Sequence, residues 1–157
     1  MQRLRRFLYM AAYGTVLGTL LGLVGWAIVM GAWDAAHSTN PDWGGRLFLL
    51  AYGGFTGVVF GAKLALWTGI STALGAATIT ALFEFPLKRP EYYKGLMQVI
   101  CPFIATVCTL IIAESEPERA AYPMRIMTIL IAALVSFLVS RYLAGRSISR
   151  SLIVPQP

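Results

Sequence analysis

The feature that most restricts this chain is its apolar blocks, too long and too poor in charge for a water-exposed fold. No charged residue occurs from Phe7 to Met30, and Lys63 is the one charge between Leu47 and Phe83. Two further blocks cover about residues 95–113 and 123–144. Uncharged runs of about 18 residues or more are long enough to cross a bilayer. Only 13% of the chain is charged, against about 25% in soluble domains, too little to cover a water-facing surface. The expectation is an all-α, polytopic membrane protein: one membrane domain over residues 1–157, built as a four-transmembrane-helix bundle.

The first span is placed at about 7–30. A basic start followed by an apolar run also describes a signal peptide, but 24 residues exceed the usual apolar region of about 7–15, so this segment reads as an uncleaved span. Trp33 and Trp43 flank the next connection, where tryptophan favours the headgroup level. The stretch from Leu47 to Phe83 is ambiguous. It is too long for one span and barely long enough for two, and charge bias arbitrates because basic residues concentrate on the cytoplasmic side. Four spans put Arg3, Arg5, Arg6, Lys88, Arg89, Lys94, Arg141, Arg146 and Arg150 inside and only Arg46, Arg119 and Arg125 outside, whereas five spans divide them about evenly. Both termini are therefore expected on the cytoplasmic side. The second span is set at about 46–69, with Lys63 snorkelling toward the inner face. Residues 70–85 either extend that helix or lie along the interface. The third and fourth spans are set at about 95–113, which contains Pro102, and 123–144.

Glycine spacing is the most informative pattern. Gly14, Gly18 and Gly22 fall four apart in span one, and Gly53, Gly57 and Gly61 do the same in span two, while the cores of spans three and four hold none. Residues four apart share a helix face. In lipid, such small-residue faces let helices approach closely, in place of the hydrophobic drive that water supplies. The chain is thus expected to have a close-packing half and an ordinary apolar half. Gly18→Leu or Gly57→Leu should accordingly disrupt assembly far more than Ala132→Leu in span four. Ala12-Tyr13-Gly14 and Ala51-Tyr52-Gly53 also match at an offset of 39 residues. Consecutive spans run in opposite senses, so a duplicated helix would form a one-helix analogue of the inverted repeats of transporters.

Four spans with glycine motifs at Gly14-Gly18-Gly22 and Gly53-Gly57-Gly61 loosely resemble the Tim translocase family. The resemblance covers only this plan and spacing. That family's basic-then-acidic signature between its middle spans has no counterpart, since Arg46 is followed by Leu47-Phe48-Leu49-Leu50. Its function is therefore not carried over.

Chemistry-bearing residues are sparse. Lys63, as a charge inside an apolar block, is a candidate site for an anion or a partner carboxylate. Asp34, His37 and Asp42 supply a carboxylate–imidazole set, but with one histidine in the chain they fall short of a zinc site, and they read as loop residues. Glu114, Glu116 and Glu118 lack the glycine-turned loop of a dedicated calcium site. Cys101 and Cys108, seven apart, are separated by about 10 Å of helix rise, too far for a disulfide. No nucleophile–base pair or phosphate loop is present, and no cofactor or metal is expected, although the aromatic set leaves a pigment or quinone pocket open. The net charge of +6 sits at span edges, as for residues held at lipid headgroups, and no basic aromatic face points to nucleic acid.

The expected function is that of a non-catalytic small integral membrane subunit or scaffold. Its glycine-zipper faces would pack on other membrane helices, in another protein or in a homo-oligomer, within a bacterial inner membrane or an organelle membrane. The alternative is a small oligomeric channel or transporter using Lys63 and a glycine-lined path. An enzyme acting on lipid or quinone ranks third.

Overall fold

A computed structural model describes residues 2–37, 39, 42–83, 87–114 and 122–153. They form four helices: α1 (Gln2–Ala36), α2 (Trp43–Leu82), α3 (Pro90–Glu114) and α4 (Tyr122–Ile153), with no strand among the described residues. All four are long and apolar enough to cross a membrane. The boundaries follow from backbone chemistry. Asp42 and Phe83, which flank α2, both have extended backbone. Pro90 opens α3, where its missing N–H would have had no helical partner in any case.

The apolar stretch of uncertain form is a single helix. α2 has 40 residues and a length of about 60 Å, against about 37 Å for α3. Its two halves differ in surroundings. Before Leu64 the buried residues are Gly53, Gly57 and Gly61; from Leu64 to Thr80 most positions are buried. The segment expected as an extension beyond Gly69 is therefore part of the best-covered stretch of the helix.

Each helix buries a stripe repeating every four residues. α1 buries Met10, Gly14, Gly18, Gly22 and Trp26, and α2 continues its glycines through Ala65, Gly69, Ala73 and Ala77. α3 buries Tyr93, Met97, Cys101, Ala105 and Thr109; α4 buries Thr128, Ala132, Ser136, Ser140 and Ala144. Bulky residues such as Leu20, Val24, Phe103 and Leu134 face outward. The expected division holds for closeness of contact, since α1 and α2 pack far more intimately than any other pair of helices, but not for residue size. α3 and α4 also pack through small residues, but they use alanine, serine, threonine and cysteine in place of glycine, and these serve the same close approach.

Candidate functional site

The closest approach in the molecule is the antiparallel seam between α1 and α2. A Cβ added at Gly14 would lie 3.0 Å from Ala73 Cβ, one at Gly18 2.7 Å from Gly69 Cα, and one at Gly22 2.8 Å from Ala65 Cβ. Farther along, Gly61 lies against the Trp26 ring, Gly57 against Trp26 and Met30, and Gly53 against Met30 and Asp34. Each step of four along α1 is matched by a step of four back along α2. The two glycine runs therefore do not face each other. The run in α1 meets the small residues Ala65, Gly69 and Ala73, and the run in α2 accommodates the large residues Trp26 and Met30. A seam that has no room for one methyl carbon has none for a solute. All six sequence-predicted glycines are buried within the chain, which leaves none of these faces turned outward to a second protein. Gly25 faces α4 instead, its added Cβ 3.2 Å from Ile131 Cγ2.

Lys63 is exposed, on the outside of α2. Thr68 Oγ1 lies 2.9 Å from Thr109 Oγ1, which sets the level of α2 against α3. Five residues further toward the acidic end, Lys63 lies at the level of Glu114. It is about 28 Å of helix rise from Leu82, so its side chain does not reach the basic end of the bundle. Glu114 pairs with Arg125 at 3.8 Å; Glu116 and Glu118 lie outside the described residues.

The Asp34–His37–Asp42 set is not assembled into a site. The half-buried Asp34 lies against Gly53, while the His37 ring stacks on Trp33 at 4.0 Å with Nδ1 2.9 Å from the Trp33 carbonyl. Among the described residues no three His, Cys, Asp or Glu side chains converge on one point. Cys101 and Cys108 are free thiols.

The interior polar groups are hydroxyls. Thr68, Ser71, Thr72 and Thr80 donate to carbonyls one turn back on α2, at 2.7–2.8 Å. This is how a hydroxyl in an apolar setting satisfies its donor within one helix. Thr80 Oγ1 also lies 2.7 Å from the hydroxyl of Tyr93, which is fully buried and ties α2 to α3. At the same end, α1 and α4 meet through an aromatic–cationic cluster. Arg146 lies 4.9 Å from the Tyr13 ring centroid and donates to Tyr142 Oη at 3.3 Å, and Arg150 lies 4.8 Å from the Tyr9 centroid.

These features define a class: a four-helix apolar bundle with a small-residue interior, one strongly basic end and a long, half-covered second helix. Within that class no particular relative emerges. No family model matches the chain, and the search of curated proteins and of solved structures finds no match.

Proposed function

We propose that the chain is a non-catalytic membrane subunit or scaffold, with both termini on the cytoplasmic side, whose partner-binding face is the first half of α2. The internal glycine seam would act as a glycine zipper that holds the α1–α2 hairpin rigid, and the partner would be met elsewhere. The carrying observation is α2 itself. About 60 Å of continuous helix exceeds the roughly 45 Å from headgroup to headgroup, and unbent it would need a tilt of about 40°, the edge of the range for membrane helices. The half that exceeds the reach of α3 has no charge from Leu47 to Ala62. It exposes Phe48 and Phe55, each 68% accessible, together with Leu47 and Val59. Lipid covers such a surface within the hydrocarbon, but the part of α2 that projects beyond it needs another apolar cover, which a partner's helix would provide.

The test is native purification in mild detergent with determination of particle mass. A defined particle heavier than the 17.1 kDa chain is expected, lost in Phe48→Gln/Phe55→Gln and retained in Leu130→Gln/Leu134→Gln, which alters an exposed face of α4. A monomer, or equal loss in both variants, refutes the reading. The channel alternative draws less support, because the glycine path is filled and Lys63 lies on the outer surface.

A further inference from the structure

We infer that the cleft between α2 and α3 binds one anionic phospholipid, with an acyl chain along the cleft and the phosphate held by Lys88 and Arg89. Two neighbouring cavities carry the inference. The first, of about 640 Å³, is a groove walled by Leu74 and Thr78 of α2 and by Ile100 and Ile104 of α3, and it runs from Trp67 to Leu82. The second, of about 350 Å³, shares Leu82 and is bounded by Phe83, Lys88, Arg89 and Tyr92. Together they make an apolar trough with two cations at one mouth.

The groove exists because α2 and α3 touch through small residues. Gly75 faces Cys101, its added Cβ 3.5 Å from the sulfur, while the larger neighbours on either side stand up as walls. From Trp67 to Leu82 the helix rises about 22 Å, more than the roughly 15 Å depth of one leaflet, so an extended acyl chain fits lengthwise. The groove asks for nothing polar: the Ser71 hydroxyl at its edge already donates to the Trp67 carbonyl at 2.7 Å. Lys88 and Arg89 lie at the basic end of the bundle, where span edges meet headgroups. A basic recess between membrane helices at that level complements a phosphate, whereas the ammonium of a zwitterionic headgroup weakens the attraction. The complementarity is local. Of the other cations of this end, Arg146 and Arg150 lie over the rings of Tyr13 and Tyr9 at the α1–α4 contact.

The experiment is native mass spectrometry of the full chain in detergent, titrated with phosphatidylglycerol or with phosphatidylcholine of the same acyl length. One phosphatidylglycerol per chain is expected, bound well above phosphatidylcholine. Lys88→Gln/Arg89→Gln should weaken it about thirtyfold, from about 1 kcal/mol per cation. Thr78→Trp, which fills the groove from an exposed position, should abolish binding of both lipids. Arg146→Gln/Arg150→Gln removes the same charge at the other corner and should change nothing. Equal binding of the two lipids overturns the inference, as does equal weakening by the two double variants, which would mark general attraction to the basic end. Unchanged binding in Thr78→Trp overturns it as well. Circular dichroism of each variant ensures that loss of fold is not read as loss of binding.

Discussion

A single methyl group tests the α1–α2 seam. The carbon added by Gly18→Ala would lie 2.7 Å from the backbone of Gly69, and backbone cannot swing aside as a side-chain tip can, so the helices must separate. The expected loss is about 1–3 kcal/mol, in the range of overpacked cores, read as a lower midpoint in reversible detergent-to-denaturant unfolding. Gly145→Ala is the counterpart. Nothing lies within 4 Å of its added carbon, and helix propensity favours alanine by up to about 1 kcal/mol, so the midpoint should hold or rise. Ala132→Leu, mild by sequence reasoning, should instead be severe, because Ala132 is 1% exposed. Its importance was not legible: in a sequence, a buried alanine cannot be told from one facing lipid, whereas repeated glycine stands out by its helix penalty. The hydroxyls pose the same difficulty. Thr80 and Tyr93 meet across helices at 2.7 Å, and a double-mutant cycle of Thr80→Val with Tyr93→Phe should give a coupling of about 0.6–1.7 kcal/mol. No coupling would leave their contact energetically idle.

Between elements, the pairing rule of the seam carries more information than the glycines alone. The sequence invites comparison of Gly14 with Gly53 at a constant offset, yet antiparallel helices pair residues running in opposite directions. The glycine run of α1 is therefore completed by Ala65, Gly69 and Ala73, and that of α2 by Trp26, Met30 and Asp34. The resemblance between the two segments holds for their own residues but not for what they meet. The pairing has a direct test. Trp26→Gly removes both the buried ring and the Cβ that lies 2.6 Å from a carbon added at Gly61, and should destabilise by about 4–6 kcal/mol, ring loss and helix penalty together. Adding Gly61→Leu should recover part of the loss by refilling the same space, whereas adding Gly57→Leu, one step away against Met30, should deepen it. Equal effects of the two second substitutions would mean that the pairing is wrong. The length of α2 was only half legible. Its uncharged run promised more than one span, but nothing local distinguishes a straight helix from a broken one when no glycine–proline pair or polar gap interrupts it.

At the scale of the molecule, charge distribution and helix direction point the same way. The α1 start, the α2–α3 connection and the α4 end lie at one end of an antiparallel four-helix chain, and nine of the 13 basic residues belong to these segments, against one acidic residue, Glu91, among the described residues. Among the described residues the opposite end holds Arg46 and Arg125 against Asp34, Asp42 and Glu114. Basic residues near span ends are retained on the cytoplasmic side, so an asymmetry this steep should orient the whole bundle. Aromatic contacts reinforce the basic end: Tyr9 and Tyr13 stack at 5.7 Å beneath Arg146 and Arg150, a placement suited to the headgroup level, where both ring and guanidinium find partners. Single-cysteine labelling in intact cells tests the orientation, with Cys101 and Cys108 changed to alanine. Thr39→Cys, exposed beyond the end of α1, should react with a membrane-impermeant maleimide without permeabilisation. Ser149→Cys, exposed near the end of α4, should react only after it. The reverse pattern would place the basic end outside and overturn the proposed orientation of the termini. Labelling of both sites from outside would mean that α2, α3 and α4 do not each carry the chain across the bilayer once.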